Sequence, residues 1–142
     1  MIEQVLFEIC KENQQSRYIN AQMAGKYVYL ETATGTRGMY SQADIRNFRL
    51  DAEPVAEIFS RLDALKITEW PKSVPTGYWP GEKMSGCDVP SWMVDVKKRR
   101  SCRTHYIRGK GHYPQDAGYQ ELLELMDELI PTHDLKQWFE NA

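Results

Sequence analysis

The sequence lacks the short motifs that mark the common catalytic and cofactor sites. It contains no GxSxG nucleophile turn, no GxGxxG dinucleotide fingerprint and no GxxxxGK[ST] phosphate loop. Its three cysteines, Cys10, Cys87 and Cys102, are widely spaced and form neither a CxxC pair nor a zinc-binding spacing with histidine. We therefore expect reduced cysteines, no metal site, no cofactor and no enzymatic activity.

Long apolar runs and an export signal are also missing. No stretch approaches the roughly 20 apolar residues that cross a bilayer. Glu3 and Glu8 interrupt the apolar N-terminal stretch, which a signal peptide would keep basic at its start and continuous in its core. The 142 residues, 42% hydrophobic and 27% charged, suit one globular domain. These features predict a single soluble domain, residues 1–142, in the cytoplasm and without membrane contact.

Apolar periodicity predicts an α+β fold with a mainly antiparallel sheet. Strands are expected at 5–9, 18–23, 26–31, 45–50, 92–96 and 102–107, with a hairpin turn at 24–25 and loops at 32–38, 71–91 and 109–114. Helices are expected from Asp51 to about Trp70, from Asp116 to Pro131, and in a short C-terminal stretch capped by Thr132. Because the strands cluster instead of alternating with helices, we expect five to six strands with two main helices packed on one face and a short C-terminal helix.

Charge is strongly segregated although the net charge is only −2. Residues 1–96 carry 10 basic and 13 acidic side chains, residues 97–110 carry seven basic and no acidic ones, and residues 111–142 carry one basic against seven acidic. The block 97–110 is the most unusual compositional feature of the chain.

The basic block allows three interpretations, and docking to another protein is one of them. On a hairpin, its cations would neutralise phosphates and form a salt-sensitive nucleic-acid site, with Tyr78, Trp79 and Tyr106 adding base stacking. Alternatively, the charges are solvated and keep strands of other chains from adding to the sheet. The acidic pI of about 5.9 argues against a dedicated nucleic-acid module. The candidate nucleic-acid-binding residues are Arg99, Arg100, Arg103 and Arg108.

The histidines offer the only general-base candidates. His105 and His112, with several cations nearby, could form a ribonuclease-like phosphodiesterase site in which two imidazoles shuttle protons. No acid lies between them in the sequence to orient either ring, so a polar strand residue and a loop histidine are the alternative. His133, beside Asp134 at a helix start, is explained by capping or solvation.

The second half of the chain resembles a group of small bacterial proteins. The lead-in GCDVPS (86–91) precedes the strand WMVDV (92–96). A cationic turn follows, a return strand enters GKGHYP (109–114), and a helix begins near Tyr119. This order, over about residues 51–130, is similar to immunity proteins of polymorphic toxins, such as those of contact-dependent growth inhibition. The resemblance implies a bacterial toxin–antitoxin role in which the protein binds a cognate toxin domain and blocks it. It carries over no individual functional residue.

Two surfaces are candidates for binding such a partner. Toxin nucleases need cationic clefts, so carboxylates on one helix face could steer and hold one. That predicted acidic face comprises Glu121, Glu124, Asp127, Glu128 and Asp134. Aromatic residues at an interface centre commonly carry much of the affinity, so the long Pro- and Gly-containing loop is the second candidate. Its aromatic residues are Tyr78, Trp79 and Trp92.

Overall fold

A computed structural model of the protein describes residues 1–75 and 90–141. Strands make up much of this part of the chain. The strands are β1 (Ile2–Cys10), β2 (Gln15–Ala24), β3 (Tyr27–Thr36), β4 (Ile45–Asp51), β5 (Ser73–Pro75), β6 (Ser91–Lys98) and β7 (Thr104–Lys110). The helices are α1 (Ala52–Ala64), α2 (Ala117–Leu129) and α3 (Leu135–Glu140), with short 3₁₀ helices at Gln42–Asp44 and Ile67–Glu69.

The strands form one sheet in the order β4-β3-β2-β1-β6-β7-β5. Six of them are antiparallel to their neighbours, and the three-residue β5 pairs in parallel with β7 at one edge. The predicted α+β class, with its antiparallel sheet, two main helices and short C-terminal helix, is confirmed.

The core lies between the sheet and its helices. Side chains alternate between the two faces of a strand, and Val5, Phe7 and Ile9 of β1 are all buried on the same face. The apolar stripes of all three helices join that cluster, including Leu62 of α1 and Leu135 of α3. The three α-helices join the core on that side, and we call the opposite side of the sheet the open face.

A tight turn joins β2 to β3. Gly25 has φ +63°, the left-handed conformation that a two-residue hairpin turn requires and that glycine adopts without steric cost. The pair Ala24 and Tyr27 closes the turn, so it lies one residue beyond the predicted position.

Several predicted boundaries were wrong. Strand β5 lies inside the expected loop at 71–91, and the residue before α3 is Asp134 instead of the expected cap Thr132. The expected loop at 32–38 is strand as far as Thr36, because these residues pair with the first half of β2. Helix α1 does not reach Trp70; it ends at Ala64, and Lys66 then adopts a left-handed φ of 52° that turns the chain. The return strand β7 begins at Thr104 and continues through Lys110, so it includes the start of the expected loop at 109–114.

Candidate functional site

The predicted acidic face exists, but basic groups of the same protein already contact it. Arg61 of α1 lies 3.2 Å from Glu121 and 3.1 Å from Glu128. Lys136 of α3 lies 3.4 Å from Glu124, and its backbone N–H donates to Asp127 over 3.0 Å. Because these carboxylates have internal partners, they offer a basic partner less uncompensated charge than their number suggests.

The fifth member of that face, Asp134, is the half-exposed partner of a buried arginine. Its Oδ1 accepts a hydrogen bond of 2.8 Å from Arg17, a β2 side chain that is only 5% exposed. The Thr132 hydroxyl also donates to Asp134. Partial burial acts to raise the pKa of Asp134, but these hydrogen bonds outweigh it and hold the pKa below its ordinary value of 3.8. Asp134 is thus part of the internal structure as much as of the surface.

Trp92 is a core residue, which corrects its prediction as a partner-binding side chain. It is 2% exposed, lies in the core beneath the helices and forms edge-to-face contacts with Tyr113 and Tyr119 at centroid distances of 5.6 and 5.3 Å. A residue enclosed in this way cannot contact a partner unless the core opens. The other two aromatic candidates, Tyr78 and Trp79, lie outside the described residues.

The two candidate catalytic histidines are not brought together. His105 lies near the start of β7, where its Nε2 is 3.4 Å from the Trp70 carbonyl. His112 follows the end of the same strand and lies 2.8 Å from Glu12, an acid that sequence spacing did not suggest. Five positions of extended strand run from His105 to the end of β7 at Lys110 and already span roughly 16 Å, and the chain bends only after them, at Gly111. The two rings therefore do not share a site at which one could act as base and the other as acid.

The basic hairpin carries exposed cations at its tip. Lys98, Arg99, Arg100 and Arg103 are all exposed, and Arg100 has a left-handed φ of 64° in the turn. None of these four forms an ion pair with another residue in 1–75 or 90–141. Lys97 differs, because it lies 2.7 Å from Glu3. Arg108 lies farther along β7, on the open face.

The open face brings together residues from six strands that no sequence motif had connected. Strand register places its side chains in rows across β7, β6, β1, β2, β3 and β4. One row consists of Thr104, Lys97, Gln4, Gln22, Tyr29 and Arg49. The next consists of Tyr106, Asp95, Leu6, Asn20, Glu31 and Asn47, and a third of Arg108, Met93, Glu8, Tyr18, Ala33 and Ile45.

Two tyrosines stand out from this face into solvent. Tyr29 is 51% exposed and Tyr106 is 44% exposed. They lie on strands near opposite sides of the sheet, and each has an arginine close to it on the same face, Arg49 and Arg108 respectively. Tyrosine and arginine are enriched among the residues that dominate protein–protein affinity.

The centre of the open face is acidic. Glu8 accepts a hydrogen bond of 2.7 Å from Tyr40, and Glu31 accepts one from Tyr18. Burial, together with the bonded carboxylate, raises the pKa of Tyr18 and of Tyr40 well above the ordinary value. Both hydroxyls therefore remain neutral donors at neutral pH, and the negative charges of the two glutamates are not cancelled.

Asp95 is the third carboxylate of this centre. It lies between Leu6 and Tyr106 in its row, and its Oδ1 is shielded from solvent without accepting a hydrogen bond from any described residue. None of Glu8, Glu31 and Asp95 forms an ion pair within the described ranges. Only the register of the sheet reveals this group, because its members are far apart in sequence.

Comparisons with known proteins place the chain in no group. No family model matches it, and neither the curated proteins nor the solved structures contain a match. Among the described residues there is no helix long and apolar enough to cross a membrane. Those residues also hold no group of three or more His, Cys, Asp or Glu side chains suited to a metal ion.

Proposed function

We propose that this protein is a non-catalytic binding protein that neutralises a toxin domain, as the immunity partners of bacterial polymorphic toxins do. The observation that carries the proposal is the open face of the sheet. It exposes Tyr29 and Tyr106 and holds three carboxylates that form no ion pair with residues 1–75 or 90–141. Exposed aromatic side chains around a polar centre are suited to recognising another protein.

The charge of the open face agrees with a toxin partner that acts on nucleic acid. A nuclease needs a cationic cleft to hold phosphates, so an inhibitor gains affinity and association rate by presenting carboxylates there. The predicted acidic helix face presents carboxylates as well, but Arg61 and Lys136 already partner its residues. Since Glu8, Glu31 and Asp95 form no ion pair with any residue that the structure describes, we assign the partner surface to the open face.

The test is co-purification with the product of the gene immediately upstream. We expect a stable one-to-one complex with a toxin-like C-terminal domain at physiological salt, and loss of that toxin's activity in the complex. Replacing both Tyr29 and Tyr106 with Ala should weaken the complex, whereas Met39→Ala, which removes another exposed apolar side chain, should not. A toxin-like neighbour that forms no complex at low or physiological salt would count decisively against this function.

Nucleic-acid binding is a second candidate function, favoured by the exposed cations at the hairpin tip. Lys98, Arg99, Arg100 and Arg103 would each release counterions on contact with phosphates, so affinity should fall steeply with salt. This surface is separate from the acidic centre of the open face, which would repel a polyanion.

Affinity for RNA and DNA at two salt concentrations tests this second candidate. Changing Arg99, Arg100 and Arg103 to Gln should abolish binding and flatten its salt dependence. The control changes Lys26, Arg46 and Arg49 to Gln, which removes the same formal charge from the β3–β4 side of the sheet and should leave binding intact. Undetectable binding at low salt, or equal effects of the two triple variants, would eliminate this candidate.

A further inference from the structure

We propose that the open face receives a basic segment of a second protein, and that an arginine of this segment binds over Leu6 between Glu8, Asp95 and Tyr106. The inference rests on the proposed function only in taking the partner to be a protein. It names the chemistry of that partner and the residues of this chain that recognise it.

Three adjacent strands, β1, β6 and β7, supply these four residues. Asp95 is directly opposite Leu6 on one side and Tyr106 on the other. Glu8 is two positions from Leu6 on the same face and diagonal to Asp95, at a Cα separation of about 7–8 Å. One long cationic side chain can therefore approach both carboxylates while it lies on Leu6.

The two carboxylates of this site, Glu8 and Asp95, favour a cation. Glu8 receives only a neutral tyrosine hydroxyl, and Asp95 Oδ1 accepts no hydrogen bond from the described part of the chain. Withdrawing carboxylate oxygen from water without a compensating donor is unfavourable. A guanidinium bound at the accessible side of Asp95 would offset that cost, because the negative charge is shared by both oxygens.

Arginine fits the arrangement better than lysine. Its aliphatic stem can cover Leu6 while its head remains among polar groups. Its planar guanidinium can donate two hydrogen bonds to a carboxylate and stack on the exposed ring of Tyr106. A lysine ammonium would supply the charge but not the paired hydrogen bonds or the stacking.

The surroundings identify a protein segment as the occupant. Phosphates would meet Glu8, Glu31 and Asp95 at the centre of this face, so a nucleic acid is repelled there. The outer strands β4 and β7 carry Arg49 and Arg108, which complement acidic residues flanking the arginine in a partner. A basic centre with acidic flanks is a pattern that a folded protein surface or peptide can present.

The test uses a short, capped peptide of alternating glycine and arginine as a probe, with the lysine version for comparison. Backbone amide shifts should change in β1, β6 and β7, and the arginine peptide should bind more tightly than the lysine peptide. Asp95→Asn, which preserves shape, should weaken binding about tenfold, as expected for a charged hydrogen-bonded pair. Glu8→Gln and Tyr106→Leu should each weaken it as well.

Glu124→Gln is the matched control, because it removes one exposed carboxylate from α2 and should leave peptide affinity unchanged. Equal binding by wild type and Asp95→Asn, or shifts confined to α2, would overturn the inference. An RNA oligonucleotide that shifts the same amides more strongly would also overturn it. Concentration-dependent self-association that Asp95→Asn abolishes would overturn it too, because a second copy of the protein would then be the occupant.

The same variants separate this inference from the proposed function. A toxin complex that survives Asp95→Asn, Glu8→Gln and Tyr106→Leu unchanged would overturn the arginine site and leave the immunity function standing. Arginine-peptide binding that depends on Asp95, in a protein that forms no toxin complex, would overturn the immunity function and leave the arginine site standing.

Discussion

Arg17 is the only charged residue in 1–75 and 90–141 that is buried, and Asp134 is its counter-ion. The sequence gives no indication of this pair, because 117 positions separate the two residues. Predicting it would require knowing that α3 returns to the first half of β2. The structure thus shows that a predicted surface acid is the ion-pair partner of a buried arginine.

Asp134→Ala should lower the free energy of unfolding by about 2 kcal/mol, because it leaves a buried guanidinium without its counter-ion. Glu124→Ala also removes a carboxylate that has a lysine partner, but both of those groups are largely exposed, so its cost should stay below about 0.5 kcal/mol. Urea denaturation of the two variants measures the difference. Similar costs for both would show that the Arg17–Asp134 pair contributes no more than an ordinary surface pair.

Acid should remove the contribution of this pair. Since the folded-state pKa of Asp134 lies below its ordinary value of 3.8, the stabilisation is fully present above that pH. It is lost as the pH falls through the lower, folded-state pKa. The stability difference between wild type and Asp134→Asn should therefore be constant from about pH 5 to pH 7 and shrink below about pH 3.8. A difference that grows on acidification would contradict this assignment.

At the scale of the elements, periodicity predicted most of the fold. The alternation of apolar residues in β1 predicted the strand and its buried face, and the apolar stripes of α1 and α2 predicted the helices and their buried faces. Burial on one side of an element imposes such a period on the sequence. The errors arose where a partner strand decided the outcome. The segment 32–36 resembles a loop in composition, yet β2 supplies hydrogen-bond partners that keep it in the sheet.

The β6–β7 hairpin depends on a glycine that the prediction assigned to a loop. Gly109 is directly opposite Trp92, and a Cβ at position 109 would overlap the Trp92 indole. The missing side chain leaves the space in which the indole lies, between the sheet and the tyrosines of the core. This contact explains why β7 continues past the position where glycine suggested its end.

Gly109→Ala should lower the free energy of unfolding by about 1–3 kcal/mol, the usual cost of overfilling a core, because the indole must move. Ser60→Ala is the control: it changes an exposed side chain of α1 and fills no space in the core, so a change below about 0.5 kcal/mol is expected. Thermal and urea unfolding compare the two. A neutral Gly109→Ala variant would show that the Trp92 indole does not depend on this gap.

At the scale of the whole molecule, the sequence predicted which charges exist but not which of them are already paired. The acidic residues of α2 are close in sequence and form an obvious cluster, yet Arg61 and Lys136 from other elements contact them. Glu8, Glu31 and Asp95 are scattered along the chain, and only strand register shows that they share one face of the sheet. The fold class was therefore predictable, whereas the candidate site required the three-dimensional arrangement.

The most direct test of the open face as the partner surface compares two triple variants that remove the same charge. One changes Glu8 and Glu31 to Gln and Asp95 to Asn; the other changes Glu121, Glu124 and Glu128 to Gln. Isothermal titration with the toxin domain should show at least a roughly hundredfold loss of affinity for the first variant and less than about threefold for the second, because only the first removes uncompensated charge. Equal losses, or a larger loss for the helix variant, would contradict the account.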